Sequence, residues 1–183
     1  PLKAEQEACL QASENLKQLF SQTEIKLTHV HSRVVFPPEF NEIVDRTGSK
    51  GVLLSEATLK LVRRCWDESG TSNGWVYCDK HGGRNRYDDI ISAAFDDQFV
   101  FRLEESRSSS RYLVGDLEFC FRTKAEELLP VALSSMVSKY LREVVMEQFN
   151  AFWQRHVTDL KPTKGYPVDA LRFWNDIQEA ADR

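Results

Sequence analysis

"GWVYCDKHGGRNRY", residues 74–87, decides the fold class, because a short apolar run leads directly into a polar, glycine-opened loop. Residues 75–78 are apolar without alternation, which predicts a strand buried on both faces, as in the interior of an α/β sheet. Asp79 follows where that strand ends. Functional groups in open α/β sheets gather beyond the carboxyl ends of the strands, so Asp79 is the leading candidate for chemistry. Capping of the turn that Gly82 and Gly83 open is the plain alternative. The same loop carries Lys80, His81, Arg84 and Arg86, which either hold phosphate oxygens through charge-assisted hydrogen bonds or face water. GxxxxGK[ST] is absent, so this is no P-loop.

Working outward, residues 3–20 carry apolar side chains at helical spacing, and "EIKLTHVHSRVVF" (24–36) alternates as a strand does. "PPEFNEIVDRTG" (37–48) predicts a short helix between a proline start and a glycine stop. "SEATLKLVRRCWDESG" (55–70) predicts another helix, with Ser55 as its N-cap. Downstream, "YDDIISAAF" (87–95) predicts a helix. "FVFRLEES" (99–106) and "RYLVGDLEFCFRT" (111–123) predict two strands joined by the polar turn "SRSSS". One long helix is expected from Leu129 to His156, then the loop "LKPTKGYP" (160–167), then a last helix from Val168. The order is mixed α/β.

With 183 residues, 42% hydrophobic and 28% charged, the chain has the composition of one globular domain, not of a disordered or fibrous protein. No apolar run approaches the roughly 18 residues that span a bilayer, and nothing near Pro1 resembles a signal peptide, so a protein without a membrane partner is expected. Cys9, Cys65, Cys78 and Cys120 are scattered with no CxxC pair, which fits a reducing cytoplasm better than a disulfide framework or a zinc site. A net charge of −4 argues against gripping nucleic acid by bulk positive potential but leaves room for a local basic patch. The chain opens at Pro1 inside a polar helical stretch and is expected to be part of a longer protein.

In "SSMVSKYLREVVM" (134–146), Ser135, Lys139 and Glu143 recur every fourth residue and share one ridge of the long helix, while Met136, Tyr140 and Val144 supply packing. The ridge lines a site or faces water, with Lys139 and Glu143 as a surface ion pair in the second case. Glu143, Asp79 and Glu126, the last in "TKAEELLP", are separated carboxylates of the kind that magnesium or manganese takes as oxygen ligands. In "KPTKGYP", Lys161 and Lys164 flank Tyr166 on a turn opened by Gly165; basic residues beside an aromatic suit a nucleic acid, and packing of the tyrosine on the helix end is the alternative. His29 and His31 lie on one strand face without an apparent third metal ligand. G-x-S-x-G, GxGxxG and HExxH are all missing.

The C-terminal third resembles ribonuclease HII. That family's late block, A-S-I-(I/L)-A-K-V-x-R-D with a methionine soon after, is similar to "SSMVSKYLREVVM", where Ser135, Lys139, Arg142 and Met146 match in order. Its K-G-Y-G turn and following helix look like "KGYPVDALRF". Its K-A-D segment looks like "KAEELLP", and its strand ending in aspartate looks like "WVYCDK". The resemblance implies a ribonuclease-H-like mixed sheet flanked by helices, 1–183 forming one α/β domain with 157–183 as a loop-helix extension that contacts substrate. It implies metal ligation by Asp79 and Glu143, with Glu126 a further acid. Tyr166 would sense the ribose junction, and Ser135, Lys139, Lys164 and Gly165 would shape the site or touch phosphate.

The implied activity is divalent-metal-dependent cleavage of RNA in RNA/DNA hybrids or of ribonucleotides embedded in a duplex. Several positions depart from the family. D-E-A-G-R-G, which carries two more acids, is not found in this chain and would precede Pro1; Glu143 stands for aspartate and Pro167 for the second glycine. This chain alone is therefore expected to be inactive, with the N-terminal strand missing. A non-catalytic nucleic-acid-binding module using Arg84, Arg86, Lys161, Lys164 and Tyr166 is the alternative, and an α/β domain serving protein contacts is the third.

Overall fold

The computed structural model describes residues 6–81 and 84–181, so Gly82 and Gly83 lie outside the described residues, as does the start at Pro1. In chain order the elements are α1 (Gln6–Gln22), α2 (Pro37–Thr47), α3 (Lys50–Ser69), β1 (Gly74–Asp79), α4 (Asp88–Ala94), β2 (Val100–Glu105), β3 (Ser109–Val114), β4 (Leu117–Arg122), a 3-10 turn (Ala125–Glu127), α5 (Leu129–Gln154) and α6 (Pro167–Ala181). The chain divides into two compact units. One is Leu16–Ser135; the other combines Pro1–Asn15 with Met136–Arg183, so that α5 runs across the boundary.

The Leu16–Ser135 unit holds a four-stranded mixed sheet in the order β1-β4-β3-β2. β2, β3 and β4 form an antiparallel meander, and β1 lies parallel to β4 with Asp79 opposite Arg122. The α/β class expected from sequence is what the chain adopts. Period-2 alternation sends Tyr112 and Val114 of β3 and Leu117, Phe119 and Phe121 of β4 to one face, where Leu59 of α3, Tyr87, and Ile91 and Phe95 of the α4 region complete the core. Tyr87 stacks on Phe121 at 3.8 Å between ring centroids.

Five expectations need correction. β1 is not buried on both faces: among the described residues it is an edge strand paired with β4 alone, and Trp75 is 67% exposed and Tyr77 39%. The apolar run was compatible with either placement, because edge position is not encoded in local composition. "RYLVGDLEFCFRT" is two strands, not one. Gly115 and Asp116 turn the chain between β3 and β4, with Gly115 at φ +55°, where a Cβ would also meet the Gln98 Oε1 at 2.7 Å. "EIKLTHVHSRVVF" forms no strand; among the described residues nothing pairs with it, and Ile25, Leu27, Val30 and Phe36 stay exposed. Alternation signals a strand only where a ladder is available.

Ser55, finally, is no N-cap. α3 starts at Lys50 behind Ser49, and Ser55 sits inside the helix, fully buried. On α5 the side chains expected to pack, Met136 and Tyr140, are exposed.

Candidate nucleic-acid interface

In the unit containing Met136–Arg183, a small core of Leu160, Phe173 and Ile177, joined by Trp153 and Val157, sets α6 beside the end of α5. Phe149 adds a ring contact to Phe173 at 5.5 Å. Between the helices runs the segment 160–166, which has no regular structure and most of whose backbone polar groups from Lys161 to Gly165 are taken up by side chains. Asn150, buried on α5, donates to the Met146 and Thr163 carbonyls and accepts from the Thr163 N–H, each at 2.8 Å. Asp169, in the first turn of α6, accepts the Thr163 hydroxyl at 2.6 Å and the Lys164 N–H at 2.8 Å. Arg172 donates to Asp169 at 2.9 Å and to the Lys161 and Pro162 carbonyls at 3.2 Å. The Thr163 hydroxyl holds Gly165 N–H at 3.0 Å.

This framework has an electrostatic signature. The Thr163 hydroxyl, then the Lys164 N–H and the Arg172 guanidinium, hold the Asp169 carboxyl well below the usual carboxylate range. Arg172 is correspondingly raised, chiefly by Asp169.

Two of the blocks that carry the family resemblance meet here. Arg142 donates to the Lys164 carbonyl and to Glu143 at 3.2 Å, and its guanidinium lies 5.4 Å from the Tyr166 ring centroid. Gly165, at φ +74°, turns the chain against Arg142 and Met146: a Cβ there would stand 3.7 Å from Arg142 Nη2 and 3.6 Å from Met146 Cε. Tyr166 is 63% exposed, and Lys139 and Lys164 are exposed with no ion-pair partner among the described residues. Glu143 pairs with Arg142, not with Lys139. Ser135, half-buried on α5, falls at the end of the other unit.

Asp79, Glu126, Arg84 and Arg86 also belong to that other unit. Asp79 is exposed at the carboxyl end of β1 and accepts the Ala125 N–H at 3.5 Å, which brings the exposed Glu126, the next residue, to the same strand end. Lys80 and His81 do not present a phosphate cradle. Lys80 Nζ points inward to the Ser106 carbonyl at 2.7 Å, Asn85 at 2.9 Å and Ser110 at 3.1 Å, and burial lowers its pKa. His81 is buried, shares a 3.0 Å hydrogen bond with Ser55, and gives its backbone N–H to the Tyr87 hydroxyl at 2.9 Å. Desolvation, then nearby Arg84, lowers its pKa. Arg86 is exposed and pairs with Glu105 at 3.4 Å; Arg84 is half-buried.

Asp79, Glu126 and Glu143 offer hard oxygen donors of the type magnesium and manganese accept. Among the described residues, however, no three His, Cys, Asp or Glu side chains gather as a metal-holding group. His31 is engaged by Glu68 at 2.5 Å and stacks on His29 at 6.1 Å.

Asn150, Asp169 and Arg172 escaped the sequence reading. A polar residue inside the apolar stretch "EQFNAFW" and an acid two residues after the helix-starting Pro167 were the available signals. No protein-family model, no curated protein and no solved structure matches this chain.

Proposed function

We propose that this chain is a ribonuclease-HII-like, divalent-metal-dependent endonuclease acting on RNA in RNA/DNA hybrids or on ribonucleotides embedded in a duplex. One observation carries the reading: Arg142 and Met146 of the late helix motif and Gly165 and Tyr166 of the K-G-Y turn, read as separate blocks in sequence, pack against one another. Tyr166 offers a ring face to a sugar or base, and Lys139 and Lys164 offer ammonium groups to phosphates. The presence of Asp79 at the carboxyl end of a strand in a parallel pair supports its role as an acid of the hydrolytic centre. Magnesium or manganese, when bound, supplies activation of water and stabilisation of charge at phosphorus.

A second reading, a nucleic-acid-binding module without catalysis, rests on the exposed Lys161, Lys164 and Tyr166 side chains. The test is cleavage of a DNA duplex carrying one ribonucleotide, in manganese, by the longest product of the gene, beside Asp79→Asn. Cleavage abolished in the variant is the expected result. Binding without cleavage by folded protein moves the conclusion to the module, and neither binding nor cleavage overturns both.

A further inference from the structure

We infer that Asn150 is a positioning residue, which together with Asp169 and Arg172 presets the 161–166 loop so that Lys164 and Tyr166 meet a duplex without prior rearrangement. This rests on the proposed reading that the loop contacts nucleic acid. The backbone accounting supports it. Lys161 and Pro162 carbonyls go to Arg172, both Thr163 groups to Asn150, the Lys164 N–H to Asp169, the Lys164 carbonyl to Arg142, and the Gly165 N–H to the Thr163 hydroxyl. The Tyr166 carbonyl accepts the Ala170 N–H of α6 at 2.7 Å, and an irregular segment with most of its backbone polar groups held in this way has little freedom left.

The side chains that this framework does not consume are those suited to a ligand. Lys161, Lys164 and Tyr166 project outward, while Thr163 is buried. Tying α6 to α5 would not require this division, since Leu160, Phe173, Ile177 and Trp153 already pack there. Holding a recognition loop in its bound shape before the ligand arrives lowers the ordering cost of association. Asn150 is the member of the set that uses its amide at both ends, donor and acceptor, on one loop residue, a pattern that neither alanine nor aspartate reproduces.

The test measures fluorescence-anisotropy binding of a labelled DNA duplex with one ribonucleotide to the full chain, as a function of salt, together with amide hydrogen exchange of residues 161–166 in the free protein. Asn150→Ala and, as a variant less exposed to folding failure, Asp169→Asn are compared with Lys164→Ala. The expected result is faster exchange at Thr163, Lys164 and Gly165, and affinity about tenfold weaker for both positioning variants with an unchanged salt slope, because no cation has been removed. Lys164→Ala instead lowers the magnitude of the slope by about one, with exchange unaltered. Loosened amides with full affinity would overturn the inference and leave the reading of the loop intact. No binding by the unaltered protein would remove that reading and the inference with it, and tight binding with unaltered exchange in both variants would overturn the positioning role directly.

Discussion

Two glycine-containing basic loops, 79–87 and 160–166, carry similar sequence signals and end differently. In the first, Lys80 donates to Ser106, Ser110 and Asn85 and the His81 ring shares a hydrogen bond with Ser55, with the loop anchored to aromatic core through Tyr87. In the second, the backbone is held by Asn150, Asp169 and Arg172 while the lysines and Tyr166 face outward. Cations near a glycine thus mark a loop, and what the loop can do depends on where those cations spend their own donors. Lys80 gives its ammonium to Ser106, Asn85 and Ser110, whereas in the second loop Arg142 and Arg172 hold backbone carbonyls and leave the Lys161 and Lys164 side chains exposed.

The largest effect is expected at Phe121, whose buried ring stacks on Tyr87 and meets His81 edge-on at 5.7 Å between centroids. Phe121→Ala should cost about 3–5 kcal/mol, read from the denaturant midpoint, because it removes both core volume and the support of the first loop. The 160–166 loop, built on a separate core, should keep its slow amide exchange under conditions where the first unit still folds. Loss of protection in both loops at once would show that they do not stand on independent supports.

Acid separates the loops more gently. His81 has a folded pKa below its ordinary 6.5, so between that lowered value and 6.5 the unfolded chain binds more protons, and stability is lost as pH falls through this window. The groups facing His81 are Ser55, Tyr87, Phe121, Arg84 and Asp79; of these, Asp79 acts in the opposite sense. Asp169 is also depressed, from an ordinary 3.8, but as an acid it keeps its stabilising charge until pH drops below that value. Lowering the pH from 7 to 5 should therefore speed exchange in 84–87, after correction for intrinsic rates, and leave 163–165 protected. His81→Asn should abolish the first response; equal loosening of both loops would contradict the assignment.

The legibility of the sequence follows the same division. α2, α4, α5 and α6 were readable because proline, glycine and helical spacing act within a few residues, and the α/β class followed from their order with strands. The fate of 24–36 was not readable, since its alternation is real and only the lack of a paired neighbour among the described residues keeps it from being a strand. Nor was the inward turn of Lys80, because its acceptors at Ser106 and Ser110 come from β3 and the turn before it, 26 and 30 residues away. Of the candidate site, Tyr166, Lys164 and Gly165 were visible as residue types, whereas Asn150 and Asp169 gain their meaning from contacts made at a distance of several residues or a helix turn.

The smallest expected effect is at Arg86, the exposed cation of the first loop. Its pair with Glu105 at 3.4 Å joins a largely exposed guanidinium to a carboxylate already bonded by the Tyr112 hydroxyl at 2.6 Å, so the pair adds little. Arg86→Ala should leave the denaturant midpoint within about 0.5 kcal/mol of its starting value. To reach a phosphate, Arg86 must first give up Glu105, whereas Lys164 gives up nothing, so the salt slope should change less for Arg86→Ala than for Lys164→Ala. An equal change would mean that both loops contact the duplex, and that an ion pair on the surface is as ready a source of a phosphate-binding cation as an unpaired lysine.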